Sequence, residues 1–123
     1  MKILPLLFLL GMSFFATAEE FFKDIGASEA KELIILEKPP TVLDVRSNKE
    51  YTKGHIKGAI NLDLYSKDFK AQLASLDKKQ TYLLHCKSGG RSAKAETVMR
   101  ELGFTSIYHM TCGYDGWLEE LKK

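Results

Sequence analysis

The feature that most limits how this chain can fold is an apolar run that leads directly into a glycine pair and then a helix. Residues 81–85 (TYLLH) form a short apolar segment typical of a buried strand. The next segment, residues 86–91 (CKSGGR), contains two consecutive glycines, and apolar residues at helical spacing follow at 95, 98, 99 and 102. A strand, a tight loop and a helix in this order form the repeating unit of a parallel sheet.

The rest of the chain repeats this alternation. Short strand patterns occur at residues 21–25, 41–45, 59–62 and 106–109. Helical patterns occur at 30–37 (ended by Pro39-Pro40), near 47–50 (a capping box), at 69–76 and at 113–121, where Trp117, Leu118 and Leu121 are expected inward. This order predicts an α/β domain whose mostly parallel sheet is covered by helices on both faces. Sites in such folds lie at the carboxyl ends of strands, where Cys86 stands.

The N-terminus has the pattern of a secretory signal peptide. Lys2 precedes an apolar stretch at residues 3–15, and Ala16-Thr17-Ala18 resembles a cleavage site. The apolar stretch is short for a membrane span, which needs about 20 residues, although an uncleaved anchor is the alternative. We expect residues 1–18 to be removed and residues 19–123 to form the domain. Its location would be the periplasm in a Gram-negative source, or the exterior.

Composition narrows the class further. The chain has 123 residues, which suits one domain, and a formal net charge of +2, which gives no sign of nucleic-acid or membrane-surface binding. Its two cysteines are fewer than a disulfide-dependent exported domain usually carries. Cys86 and Cys112 therefore have a use other than bulk stability, or they form one optional bridge.

The loop after the strand at 81–85 has the chemistry of an anion cradle. Two glycines let the backbone turn its N–H groups inward, and the helix expected to begin at Ser92 adds positive potential. Lys87 and Arg91 add formal charge. Cysteines in such settings have pKa values of about 3.5–7.5 instead of about 8.5, and the thiolate is a nucleophile. The alternative, that Cys86 is an inert buried residue, fits these charged surroundings poorly.

Five segments together resemble the rhodanese domain family. In order they are residues 43–46 (LDVR), 50–61 (EYTKGHIKGAIN), 86–92 (CKSGGRS), 102–104 (LGF) and 113–117 (GYDGW). The resemblance implies a five-stranded fold and a sulfurtransferase without metal or organic cofactor. Cys86 would take sulfur from a small anionic donor such as thiosulfate and pass it from a persulfide to cyanide, a thiol or a protein acceptor. The resemblance implies a persulfide-stabilising set of Lys87, Ser88, Gly89, Gly90, Arg91 and Ser92.

Four further residues are placed beside this loop. Asp44 and Arg46 are expected to form a supporting ion pair. Cys112 stands where the family has the first of two glycines; it either fills a glycine-sized gap or acts as a second thiol toward Cys86. His85 should point away from the Cys86 side chain, since neighbours on a strand alternate faces. The sequence offers no evident partner for His109.

Two other functional classes remain open. Cysteine phosphatases and arsenate reductases also use a cysteine in an anion-binding loop, but their arginine stands one position further from the cysteine than Arg91 stands from Cys86. The shorter loop makes a smaller cradle, suited to sulfur rather than to tetrahedral phosphate. The second class is a non-catalytic sulfur carrier, or a redox module using Cys86 and Cys112.

Overall fold

The structure is a computed structural model that describes Gly11 and residues 19–123. The predicted signal peptide, residues 1–18, lies outside the described residues except for Gly11, so its removal stays a prediction. The described elements, in chain order, are β1 Phe21–Ile25, α1 Ala27–Leu33, β2 Thr41–Asp44, α2 Asn48–Lys53, β3 Ile60–Asn61, α3 Phe69–Ala74, β4 Thr81–His85, α4 Gly90–Glu101, β5 Ser106–Met110 and α5 Gly113–Leu121.

The five described strands form one parallel sheet in the order β1-β5-β4-β2-β3. The predicted α/β class with a parallel five-stranded sheet is therefore confirmed. β4 lies at the centre, with Leu84 opposite Leu43 of β2 on one side and opposite His109 of β5 on the other. All the strands point the same way, so their carboxyl ends share one edge of the sheet, which carries the loop that contains Cys86.

Helices cover both faces of the sheet, and each face has its own core. On the first face, α3 and α4 bury Phe69, Leu73, Ala95 and Met99 against the sheet. On the second face, α1 and α5 pack a separate cluster that includes Ala30 and Trp117. The near-continuous apolar character of β4 follows from this arrangement, because both of its faces are buried. Among the described residues, no helix is long and apolar enough to cross a membrane.

Three details differ from the sequence-based expectations. α1 ends at Leu33, before the two prolines, and Ile35 and Leu36 are exposed. α4 begins at Gly90, two residues before Ser92, because the left-handed conformation of Gly89 already turns the chain into the helix.

The helix α5 supplies the third difference. Its residues Gly113 and Trp117, one turn apart, are buried, whereas Leu118 and Leu121 are 41% and 53% exposed. The inward placement of Leu118 and Leu121 was therefore wrong. Only the stripe through Trp117 faces the sheet, since residues four apart share one face of a helix.

Candidate active site

Cys86 follows directly after the central strand and is 1% exposed. It lies on the same face as Tyr82 and Leu84, as the alternation of side chains along a strand requires. α4 packs on that face and starts four residues later, at Gly90. The Cys86 sulfur is thus held beside the first turn of α4.

Two residues, one in the loop and one in the first turn of α4, donate hydrogen bonds to this sulfur. The Gly89 N–H lies 3.1 Å from Sγ, and the Ser92 hydroxyl lies 3.3 Å from it. Burial acts to raise the pKa of Cys86, but the Ser92 hydroxyl and the amides of Ser92, Gly89 and Ser88 outweigh burial and hold that pKa below its ordinary value. The site therefore stabilises the thiolate of Cys86 more than water stabilises that of a free cysteine.

The loop is fixed by backbone contact with the neighbouring β5–α5 junction. The N–H groups of Tyr114 and Asp115 donate to the carbonyls of Cys86 and Lys87 at 2.8 and 3.1 Å. Gly113 has a φ of +66°, and a Cβ there would collide with the Lys87 carbonyl. Approach this close requires a residue without a side chain, so Gly113 holds the two junctions together.

Gly89, within the loop itself, also has a positive φ and no room for a side chain. Its φ is +106°, and a Cβ there would collide with the carbonyl of Thr111. Its N–H donates to the Cys86 sulfur, and its left-handed conformation turns the chain from the loop into α4. The two neighbouring glycines differ in this respect, because a Cβ on Gly90 would meet nothing within 4 Å.

The two cations of the loop are paired with carboxylates. Arg91 donates from two guanidinium nitrogens to Glu50 at 2.6 and 2.9 Å, and Lys87 donates to Asp115 at 2.9 Å. The hydrogen bonds from Arg91 lower the pKa of Glu50 from 4.5 to about 2. The hydrogen bonds at the sulfur thus come from amides and a hydroxyl, while the roles of Lys87 and Arg91 toward a donor stay predictions. The sequence predicted Glu50 only as a cap and family-motif residue and gave no sign of its bond to Arg91.

Asp44 and Arg46 form a buried ion pair at the carboxyl end of β2, on the second face of the sheet. Arg46 donates to Asp44 from Nε at 3.0 Å and from Nη2 at 2.7 Å, and Nη2 also donates to the Gly54 carbonyl at 2.8 Å. The guanidinium lies 4.2 Å from the centre of the Tyr114 ring, a cation–π contact. Through Tyr114 the pair connects β2 to α5, the helix whose first amides hold the loop after β4. This position is consistent with the predicted supporting role.

His85 occupies the opposite face from the Cys86 side chain, as expected. Its Nδ1 lies 2.9 Å from the Cys86 carbonyl, and its Nε2 lies 3.8 Å from Asp44 Oδ2 without a hydrogen-bond partner. Burial lowers the pKa of His85, so the neutral ring is favoured near neutral pH. A neutral ring that contacts only the carbonyl of Cys86 cannot serve as the base for its sulfur.

Cys112 stands at the N-cap of α5 and packs with the second cluster, across the sheet from the cluster that holds Cys86. Its sulfur lies close against Gly116, where a Cβ would collide with it. Both cysteines are free thiols. The contacts favour the interpretation in which Cys112 fills a gap in the first turn of α5.

His109 belongs to the site, although no pattern in the sequence indicated this. His109 Nε2 lies 2.6 Å from Ser92 Oγ, and its Nδ1 lies 3.5 Å from Asp24 Oδ1 and 3.9 Å from Glu96 Oε2. The expectation that His109 has no evident partner was wrong. We treat this set as a polar cluster and not as a metal site, because the Asp24 side chain is 73% exposed and exposed carboxylates commonly stand near one another without a metal. Strand order, which no spacing in the sequence reveals, brings β5 beside β4.

Known proteins resemble this chain in both sequence and structure. Thiosulfate sulfurtransferase 16 of Arabidopsis thaliana is 35% identical over 85 residues, 61% of this chain and 71% of that protein. Thiosulfate sulfurtransferase PspE of Escherichia coli is 34% identical over 67 residues, 53% of this chain and 62% of that one. A tRNA uridine(34) hydroxylase of Bartonella bacilliformis is 30% identical over 109 residues, which are 82% of this chain but only 36% of that protein.

The matched segments of these three relatives range from about a third to about seven tenths of their lengths. Among solved structures, a rhodanese-related protein of Thermoplasma volcanium superimposes with a TM-score of 0.70 at 31% identity, covering 80% of this chain and 93% of that one. The family model for the rhodanese-like domain matches residues 26–120, which include every strand after β1 and all the residues that surround Cys86. The chain belongs to the rhodanese-like domain family.

Proposed function

We propose that this protein is a sulfurtransferase that moves sulfane sulfur from a small anionic donor such as thiosulfate to a thiol or cyanide. The observation that carries the proposal is the Cys86 sulfur held by the Gly89 amide and the Ser92 hydroxyl. The same donors would hold a persulfide anion on Cys86. The names of the relatives, which include two thiosulfate sulfurtransferases, support this assignment.

The reaction needs two displacement steps at sulfur. The Cys86 thiolate attacks the outer sulfur of thiosulfate, a new S–S bond forms, the old S–S bond breaks, and sulfite leaves with its electron pair. The acceptor thiolate or cyanide then attacks the terminal sulfur of the persulfide, and Cys86 leaves as a thiolate. No external oxidant or reductant enters, and the residues of the loop supply only positioning and charge stabilisation.

A cleft of about 510 Å³ beside the loop gives such a donor a place to approach. Its lining includes Lys53, Lys87 and Tyr114. Three cationic side chains, those of Arg46, Lys53 and Lys87, line the cleft with the carboxylates of Glu50 and Asp115, so the entrance carries a small excess of positive charge. Cys86 itself does not line the cleft and is 1% exposed, so we propose the cleft as the place where the donor first binds beside the loop.

The phosphatase alternative is weakened by the state of Arg91. Phosphoryl-transfer sites of this kind need a guanidinium that is free to bind phosphate oxygens. Here two guanidinium nitrogens of Arg91 donate to Glu50, so phosphate would have to displace a carboxylate. Hydrolysis of a phosphate ester without any turnover of thiosulfate would reverse this choice.

The direct test is the intact mass of the protein after treatment with thiosulfate. We expect a gain of one sulfur atom, reversed by cyanide, in the wild type and in Cys112→Ser, and no gain in Cys86→Ser. A gain that survives in Cys86→Ser would reject Cys86 as the nucleophile. Loss of two hydrogens without gain of sulfur would instead support the redox alternative.

We also propose that the protein acts after export from the cytoplasm, on the basis of the pattern at residues 1–18. Expression of the full chain in a Gram-negative host, followed by N-terminal sequencing of the periplasmic fraction, tests this. A mature N-terminus at Glu19 is expected. A protein that stays in the cytoplasm with Met1 retained would contradict export without affecting the proposed chemistry.

A further inference from the structure

One hydroxyl group connects the Cys86 sulfur to a buried histidine. Ser92 Oγ lies 3.3 Å from Cys86 Sγ and 2.6 Å from His109 Nε2. Ser92 is fully buried and His109 is 4% exposed, so solvent does not intervene. Ser92 Oγ also lies 3.1 Å from the Gly89 carbonyl. Because a hydroxyl has one proton, the direction of that proton decides whether Ser92 stabilises a thiolate or accepts a bond from a thiol.

The groups around the other ring nitrogen favour one tautomer of His109 over the other. Its Nδ1 faces Asp24 Oδ1 on β1 at 3.5 Å and Glu96 Oε2 on α4 at 3.9 Å. Arg100 donates to Glu96 at 3.4 Å, and β4 contributes the apolar Leu84 opposite His109. Two carboxylates beside Nδ1 favour a proton there, which leaves the Nε2 lone pair to accept the Ser92 hydroxyl.

We propose that His109 is a positioning residue for Cys86 and takes up the thiol proton through Ser92. The proposal rests on the proposed function only in assigning Cys86 as the nucleophile. Asp24 and Glu96 complete the chain by stabilising the imidazolium that forms. The histidine reaches the sulfur from the neighbouring strand β5, whereas His85, next to Cys86 in sequence, is on the other face of the sheet.

The proton movement balances within these three side chains. The S–H bond of Cys86 breaks as the thiol proton passes to Ser92 Oγ. At the same time the original O–H bond of Ser92 breaks as the hydroxyl proton passes to His109 Nε2. One O–H bond and one N–H bond form, and no electrons change hands. The products are a thiolate that accepts a hydrogen bond from Ser92 and an imidazolium that faces two carboxylates.

The first test measures the rate of Cys86 alkylation by iodoacetamide against pH, in a Cys112→Ser background. Alkylation reports the thiolate directly and does not depend on sulfur transfer, so this test can fail while the proposed function stands. In His109→Gln the amide can still bond Ser92 but cannot take a proton. We expect its profile to move to higher pH by about one unit, with alkylation about tenfold slower below the midpoint.

The exposed His55, which stacks on Tyr51, gives a matched control. His55→Gln should leave the profile in place. An unchanged profile in His109→Gln, with an unchanged melting temperature, would overturn the proposal. Thermal melts of each variant check that the buried substitution is tolerated.

Two further variants separate a proton path from a general effect of charge or packing. Asp24→Asn changes an exposed side chain: a proton path predicts that the alkylation profile moves to higher pH, whereas simple removal of a negative charge predicts a move to lower pH. In Ser92→Ala the profile should also move to higher pH, and adding His109→Gln should then have little further effect. A shift to lower pH in Asp24→Asn, or additive shifts in the double variant, would show that His109 does not act through Ser92.

Discussion

The β4–α4 and β5–α5 junctions are neighbours at one edge of the sheet, and each contains a cysteine. Of the two sulfurs, only that of Cys86 accepts a hydrogen bond from a backbone N–H among the described residues. Cys86 stands three residues before the N-cap Gly89, so the turn of the loop brings the Gly89 amide back over its sulfur at 3.1 Å. Cys112 is itself the N-cap of α5 and packs into the opposite core.

The difference shows that a cysteine near a helix N-terminus is not activated by that position alone. What matters is how far before the helix the cysteine stands and which face of the sheet its side chain occupies. The β5–α5 junction supports the β4–α4 junction. The amides of Tyr114 and Asp115 donate to the backbone of the loop after β4, and Gly113 permits the close approach of the two segments.

The largest expected effect separates the two sulfurs. Cys86→Ser should reduce thiosulfate-to-cyanide transfer by orders of magnitude, because the nucleophile is lost. Cys112→Ser should retain most of the rate, since its sulfur lies on the other face of the sheet. Steady-state rates and melting temperatures of both variants check this. Equal losses in the two would mean that the junctions share one catalytic dithiol.

A smaller effect is expected from breaking the contact between the junctions. Gly113→Ala places a Cβ against the Lys87 carbonyl and adds the strain of a left-handed residue, about 1–3 kcal/mol, so both stability and Cys86 alkylation should fall. Gly58→Ala is the matched control, because Gly58 has a similar φ of +82° and a Cβ there would meet nothing within 4 Å. Urea unfolding and alkylation rates should show a loss of alkylation in Gly113→Ala only.

The Glu50–Arg91 pair predicts an acid-dependent contribution to stability. The pKa of Glu50 falls from 4.5 to about 2 on folding, so its contribution is complete above about pH 4.5 and is lost as the pH falls toward 2. Glu50→Gln should therefore be less stable than the wild type at neutral pH, and the two should converge in acid. Urea unfolding at several pH values measures this. A difference that stays constant with pH would show that the pair has no charge-dependent role.

The smallest effect concerns the exposed Lys87–Asp115 pair that joins the two junctions. Exposed pairs contribute about 0–1 kcal/mol, so Lys87→Ala and Asp115→Ala should barely change the free energy of unfolding. If Lys87 attracts the donor, Lys87→Ala should raise the KM for thiosulfate at low salt and not at high salt, whereas Asp115→Ala should lower it. Equal KM values in all three proteins would remove Lys87 from the donor-binding set.

Local patterns were enough to predict most of the fold and the centre of the site. The run TYLLH and the glycine pair after it predicted β4, the loop and the helix, and Ser47 with Glu50 predicted the capping box that the structure contains. They could not show that Arg91 is paired with Glu50, 41 residues away, or that His109 lies beside Ser92. Those contacts join elements whose neighbours are set by strand order and not by spacing.

The sequence by itself determined the class of fold, the position of the candidate nucleophile and the tight glycine turn that follows it. These follow from hydrophobic periodicity and from the φ values that glycine allows, and both are properties of short segments. Only the tertiary structure decided what surrounds Cys86. It pairs Lys87 and Arg91 with carboxylates, packs Cys112 on the other face of the sheet, and brings His109 against Ser92. Those outcomes depend on parallel strands distant in sequence lying side by side, because burial and hydrogen bonding act through space.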